Sequence, residues 1–444
     1  MKHLRPHFKS MLLVGLPLVG GNLAQFSISI VDTAMLGRYN AEALAASILA
    51  GSFYFIVFIV GGGFSFAVMP MVAAHDVRGE DTQVRRVTRM ALWLSFIYAA
   101  ASFPLLFFSK PIFLALGQSE ILSTLSQDYL QIAAFGMFPA LLGITFRNYL
   151  SGLKHTSIVL WATLAGLVLN ILMNWILIFG RFGAPEMGIR GAATASVGVQ
   201  LLVMLVMIAY INRHLARHEL FKNLWRPDWA ALITVSKLGL PIGLTYLAET
   251  GLFSATAVMM GWIGTIELAA HGIALQLAAI TFMVHLGLSQ GATTLVGNAY
   301  GLNDRSAQRR LGVVSIAMTT AFAAVAILVF LTIPGPLLAL FLDTSQATSP
   351  AILASGIGLI TVAAAFQLAD GLQAAGLGLL RGIQDVRIPF IYAAISYWLI
   401  GMPTSYFLGF TLGYGGKGVW AGLVTGLTAA AILLLARYWR KTRA

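Results

Sequence analysis

The chain alternates long apolar runs with short polar breaks. Twelve runs can be drawn, at about 11–37, 43–74, 90–109, 123–148, 158–180, 188–211, 232–261, 268–299, 311–333, 350–380, 388–411 and 418–437. Each is near or above the roughly 20 apolar residues that cross a bilayer as a helix. The first, MLLVGLPLVGGNLAQFSISIVDTAML from Met11, exceeds the roughly 7–15 apolar residues of a cleaved signal. The pattern predicts an all-α polytopic membrane protein with twelve transmembrane helices. Composition agrees: 58% of residues are hydrophobic and 10% charged, against roughly 25% charged in a soluble domain.

The runs form two sets of six. GLP at 15–17 recurs at 239–241, Leu-Ala-Ala at 44–46 recurs at 268–270, and the Arg pair at 85–86 recurs at 309–310, each 224 positions on. Further along, LSGLKHTSIVLW at 150–161 resembles LRGIQDVRIPFI at 380–391, at an offset of 230. Two six-helix lobes with the same direction of travel imply a pseudo-two-fold axis along the membrane normal, with sites at the repeat interface near the midplane. The expected architecture is therefore two lobes, 1–220 and 221–444, around a central cavity, joined by the polar linker 212–231. That is a transporter plan; a channel is more naturally built from several subunits.

Charge placement settles orientation. If the spans alternate, 23 of the 28 Lys and Arg residues fall on one side, beginning with Lys2, Arg5 and Lys9 and ending with Arg437, Arg440, Lys441 and Arg443. The positive-inside rule then puts both termini in the cytosol. The net charge of +12 is thus a topology signal, and no nucleic-acid partner is expected. The chain has no cysteine, which excludes disulfides, thiol catalysis and thiolate metal sites. With no HExxH, GxSxG or Walker motif, neither an enzyme nor an ATP-driven pump is expected, and no cofactor.

Of the sixteen acids, most fall in loops or at span ends, Asp343 among them; three stay inside spans, Asp32, Glu249 and Asp370. A charge at that depth costs on the order of 3 kcal/mol. The bland account of each is a carboxyl hydrogen-bonded for helix packing. The sharper one is a cation-binding group. A carboxyl in low dielectric can exchange a proton near physiological pH, and one flanked by hydroxyl and amide oxygens can hold a hard cation such as Na+. Asn170 and Asn174, four apart on one helix face, are placed to serve Asp32, with packing hydrogen bonds as their alternative. Thr33, Asn22 and Gln200 are further candidates there. Tyr246, Thr250, Gln276, Gln367 and Tyr397 are the polar candidates around Glu249 and Asp370. His271 reads as a satisfied helix-end histidine. Gly63 and Gly287 occupy matched positions and suggest close helix approach. Pro17 and Pro241 are matched too, and Pro17 predicts a bend in the helix that carries Asp32.

With these residues in hand, the chain resembles the multidrug and toxic compound extrusion (MATE) family, and within it the NorM-type bacterial branch. The resemblance is carried by VDTAMLGR with Asp32, LNILMNW with Asn170 and Asn174, GLPIGLTYLAET with Glu249, and AFQLADGLQAAGLGLLRGIQDVRIP with Asp370. It implies a multi-pass protein of the bacterial inner membrane. The implied activity is export of small cationic or amphiphilic drugs in exchange for inward Na+ or H+, hence antibiotic resistance. It further implies that Asp32, Asn170 and Asn174 serve a first-lobe cation or proton site, and that Glu249 and Asp370 serve a second-lobe cation or substrate site. Na+ is allowed at any of the three acids. A monomer is expected to suffice. The competing reading is a flippase of a lipid-linked precursor with the same two-lobe plan; it calls for cavity arginines, and Arg147 is the one candidate near a span interior. A non-transporting scaffold or receptor is the third, and the three buried acids speak against it.

Overall fold

Helix boundaries follow the polar breaks. The computed structural model describes residues 4–342 and 348–443; Lys2, His3 and Asp343 lie outside that range. α1 (Arg5–Tyr39) gives way to α2 (Ala41–Phe66) at Asn40, whose side chain accepts the Glu42 amide at 2.6 Å and so satisfies an otherwise orphaned first-turn donor. α3 (Val68–Asp76) continues α2 beyond Ala67. α4 (Asp81–Phe107), the short α5 (Lys110–Ala115), α6 (Glu120–Gly152), α7 (Thr156–Phe179) and α8 (Ile189–His214) follow. α7 stops at Gly180, whose φ of 64° is the left-handed cap that glycine adopts without a Cβ clash. The second half repeats the plan in α9 (Trp229–Ile263), α10 (Thr265–Gly301), α11 (Arg305–Thr332), the short α12 (Pro334–Ala339), α13 (Ser349–Gly382), α14 (Arg387–Ala394), α15 (Met402–Tyr406) and α16 (Gly415–Lys441). The described residues include no strand, as the hydrocarbon core requires of an open chain whose backbone groups must pair internally.

Eleven helices among the described residues are long and apolar enough to cross a membrane, taking α2 and α3 as one. The remaining predicted span, the eleventh at 388–411, is also wound throughout, but α14 and α15 alternate there with π-helical stretches at Ile395–Gly401 and Phe407–Thr411. A π-turn shifts the register of the following side chains, and such turns cluster at functional positions.

Packing divides the chain into two units: Gly20–Leu244, and residues up to Val19 together with those from Thr245 onward. The opening helix of each half therefore changes unit part-way along, α1 after Val19 and α9 after Leu244, within four residues of Pro17 and Pro241. The two lobes drawn from the repeat, with their boundary near residue 220, stay our proposal for the duplicated element. Matched glycines hold the crossing segments. In the Gly20–Leu244 unit, a Cβ on Gly63 of α2 would lie 2.5 Å from the Gly239 carbonyl and 2.6 Å from the Gly243 nitrogen of α9. In the other unit, a Cβ on Gly287 of α10 would lie 2.6 Å from the Val19 backbone of α1. Backbone-to-backbone approach of this kind is what small residues permit in membrane helices. Gly63→Ala is expected to destabilise the protein by about 1–3 kcal/mol, since backbone rather than a flexible side chain must yield. Gly51→Ala, on the same helix with open space around it, is the control, and thermal unfolding in detergent reads both.

The linker is strapped down rather than free. Arg85 pairs with Glu219 at 2.9 Å, Arg86 holds both oxygens of Asp228 at 2.5 and 3.1 Å, Arg89 donates to the Asn223 carbonyl at 2.9 Å, and the Trp93 indole donates to the Leu224 carbonyl at 2.8 Å. The Arg86 guanidinium keeps the Asp228 carboxyl below its ordinary range, so this strap is complete at neutral pH and weakens only as acid protonates Asp228. The C-terminal tail is tied in a similar way, with Tyr438 donating to the Gln308 carbonyl at 2.6 Å, Arg437 to Asp385 at 2.7 Å and Arg305 to the Arg443 carbonyl at 2.7 Å.

Candidate functional site: two acid clusters

In the Gly20–Leu244 unit, α1, α7 and α8 converge on Asp32. Its Oδ1 accepts the Asn170 amide at 2.9 Å and the Asn174 amide at 2.6 Å; its Oδ2 accepts the Ser196 hydroxyl at 3.0 Å. Asn170 and Asn174 are fully buried and linked to each other at 3.2 Å. The i, i+4 spacing on α7 presents both amides to one carboxylate oxygen. Every partner of the carboxylate is neutral. Arg147 instead donates to Asn22 at 2.5 Å, ten residues and about 15 Å back along α1. The Asn174 Oδ1 has no partner of its own. It is a spare acceptor on a residue that already touches Asp32. Beside Ser196, which also bonds Tyr129, a cavity of about 30 Å3 is lined by Tyr54, Tyr129, Ser196 and Gln200 among others, enough for a water molecule. The cluster thus has hydrogen-bond partners for both the charged and the neutral carboxyl.

Thr33 and Asn22, candidates for this network from the sequence, do not join it. Thr33 instead bonds back to the Ser29 carbonyl at 2.8 Å, the usual fate of a helix hydroxyl, and Asn22 serves Arg147. Gln200 lines the adjacent cavity. Ser196 was missed because one serine in a small-residue helix looks like packing. Pro17 lies inside α1, which remains helical through it.

In the other unit, α9, α13 and the first π-helical stretch bring Glu249, Asp370 and Tyr397 together, all buried. Glu249 and Asp370 are close enough to repel each other. Glu249 takes a hydrogen bond from Gln373 and feels the Arg381 guanidinium. The Gln373 amide also donates to the Tyr397 hydroxyl. Arg381 donates to the Tyr246 hydroxyl at 2.7 Å and stacks over its ring, 4.6 Å from the centroid. Two carboxylates against one guanidinium leave a net negative charge when both are ionised. Several oxygen acceptors here have no protein partner: Asp370 Oδ1, Gln367 Oε1 and Gln373 Oε1. Buried polar atoms are rarely left so in native proteins unless water or an ion completes them. Among the expected supports, Tyr246, Gln367 and Tyr397 fall in or beside this cluster; Thr250 and Gln276 are half-buried and their side chains do not join it.

Gln373 and Arg381 were not foreseen. Gln373 had a signal, since Gln367, Asp370 and Gln373 recur every three residues on α13. Arg381 is one of the 23 Lys and Arg residues on the side that the positive-inside rule assigns to the cytosol, but its long side chain extends to the Tyr246 hydroxyl. His285 was also missed: it is buried against Gly371, edge-on to Phe322 at 5.1 Å, and neither ring nitrogen has a partner. His271 accepts the Trp420 indole at 3.0 Å through Nδ1.

Known proteins share this arrangement of sequence and fold. The protein named "Probable multidrug resistance protein NorM" of Rhizobium meliloti (strain 1021) is 46% identical over 439 residues, 98% of this chain and 94% of its own length. Its namesake of Agrobacterium fabrum is 45% identical over 434 residues, covering 97% and 93%. Among solved structures, a crystal structure of MATE in complex with MaL6 superposes with a TM-score of 0.90 at 18% identity, covering 98% of this chain and 96% of that one. The eukaryotic MATE transporter AtDTX14 gives 0.87 at 17% identity, with 99% of each chain covered; at this distance the likeness concerns the fold. The MatE family pattern matches residues 17–176 and 241–407, spanning the segments that carry Asp32, Asn170, Asn174, Glu249 and Asp370. The chain is a multi-pass membrane protein and belongs to the MatE family, NorM type.

Proposed function

We propose that the protein is a secondary active multidrug antiporter, exporting organic cations and amphiphilic drugs from the cytosol in exchange for inward Na+ or H+ by alternating access. The observation that carries this reading is the Asp32 carboxylate, held by three neutral donors with no basic partner. A structural ion pair would have supplied a cation. A carboxylate ligated only by neutral groups leaves its charge to be met by a transported proton or cation, which is the differential interaction that antiport needs. The multidrug assignment comes from the names of the relatives. The second cluster, with its oxygen acceptors and net negative charge, suits Na+ or a cationic substrate. Both termini face the cytosol in this reading, the membrane is the bacterial inner membrane, and one chain suffices.

A flippase of an anionic lipid-linked precursor fits the clusters less well. Arg147 is bonded to Asn22, and Arg381 donates to Tyr246 and faces the charge of Glu249 rather than an anion.

The test is efflux of an ethidium-like cation from proteoliposomes, with a sodium gradient and a pH gradient imposed separately. Either gradient driving export supports antiport and names the coupling ion. Failure of both to move the dye overturns the multidrug reading.

A further inference from the structure

A second cluster of ionisable groups lies in the Gly20–Leu244 unit, away from Asp32 and unrelated to the transport argument. Asp76 closes α3 and Asp81 opens α4; the intervening turn passes through Gly79 at a φ of +71° and is pinned by the Gly79 amide on the Asp76 carbonyl at 2.9 Å. The 3-10 turn Ala216–His218, just after α8, brings in the imidazole of His218, fully buried. The ring is oriented by its Nδ1, 2.5 Å from the Tyr149 hydroxyl. Its Nε2 lies 3.1 Å from Asp81 Oδ1 and 3.8 Å from Asp76 Oδ1, facing both carboxylates without a well-aligned hydrogen bond to either. One ligand atom from each of the three residues falls within 4.8 Å of the others.

We propose that Asp76, Asp81 and His218 form a binding site for a divalent transition-metal cation of the zinc class, tying the linker after α8 to the turn between α3 and α4. Three features favour an ion over a packed polar cluster. A buried ring nitrogen that faces two carboxylates without a well-aligned hydrogen bond is better satisfied with a cation among them. One imidazole and two carboxylates leave a coordination position for water, a donor set that Zn2+ accepts, and the Tyr149 contact on the far ring nitrogen is the outer-shell support that fixes a metal-ligating histidine. Finally, the repeat does not demand these acids: 224 positions on, Asp76 and Asp81 are matched by Tyr300 and Arg305. Arg217, 2.5 Å from Asp76 Oδ1, offsets one of the two negative charges and competes with the metal for that oxygen.

The experiment is metal titration of the full-length, tag-free protein in detergent, using Zn2+ against a chromogenic chelator and Co2+ as a visible-absorption probe. One ion per chain is expected, with the Co2+ band of nitrogen ligation. Affinity should fall by about tenfold or more in His218→Ala and in Asp81→Asn, by about tenfold in Tyr149→Phe, and be unchanged in His214→Ala, an exposed histidine of the same segment. Arg217→Ala should bind more tightly, which a purely structural hydrogen-bond cluster would not predict. Absence of stoichiometric binding by the wild type overturns the proposal, as does binding unaltered in Asp81→Asn, a near-isosteric variant whose folding is checked by its melting curve.

Discussion

Asp32→Asn is expected to reduce gradient-driven efflux to the passive leak while leaving the protein folded and nearly as stable as the wild type. The geometry makes this substitution a clean one. An asparagine oxygen in the place of Oδ1 still accepts the amides of Asn170 and Asn174. The new amide nitrogen meets Ser196, whose hydroxyl can turn from donor to acceptor. The hydrogen bonds survive and the titratable charge is lost, so the expected change in stability is below about 1 kcal/mol. Asp32→Ala is different. It strands two fully buried asparagine amides, at about 1–3 kcal/mol for each donor left unsatisfied, and should melt measurably lower. Proteoliposome efflux and thermal unfolding, run on both variants, separate the charge from the scaffold. Full efflux by a well-folded Asp32→Asn protein would remove Asp32 from the coupling mechanism and return it to helix packing.

What could be read from the sequence was what local periodicity encodes. Each of the twelve apolar runs is helical, although the eleventh is wound partly as a π-helix, for which the residue pattern gives no warning. The four-residue spacing of Asn170 and Asn174 and the depth of Asp32 led straight to a cluster that the structure closes. Ser196 did not stand out, because its role depends on which face of α8 meets α1, and that is decided by packing across 164 positions of chain. Arg381 hides its role for a related reason: counting charges by side of the membrane assigns a residue by its Cα, whereas the guanidinium sits several bonds away beside Tyr246. The passage of α1 and α9 from one packing unit to the other was equally hidden. Its signs, Gly15 with Gly239 and Gly63 with Gly287, were visible as matched glycines, but a repeat compares a sequence with itself and says nothing about which copy a glycine will touch.

Sodium is expected to raise the melting temperature of the wild type above its value in equimolar choline, and Glu249→Gln and Asp370→Asn are each expected to abolish that difference. The second cluster carries two carboxylates and one guanidinium, so neutralising either acid removes the net negative charge that would hold a monovalent cation. Asp370 Oδ1, Gln367 Oε1 and Gln373 Oε1 would still be present, but neutral oxygens alone lose the Coulomb attraction that offsets dehydration of the ion. A ligand that binds only the folded state stabilises it by about 2.7 kcal/mol at a hundredfold excess over its Kd, which melting curves resolve, and the choline comparison removes general salt screening. Asp32→Asn supplies the internal control, since its carboxylate lies in the other packing unit and should leave a sodium response of this cluster intact. The alternative outcome is equally informative. A wild type indifferent to sodium, in which Glu249→Gln and Asp370→Asn instead lose binding of an ethidium-like cation, would assign these acids to substrate and leave Asp32 as the coupling group.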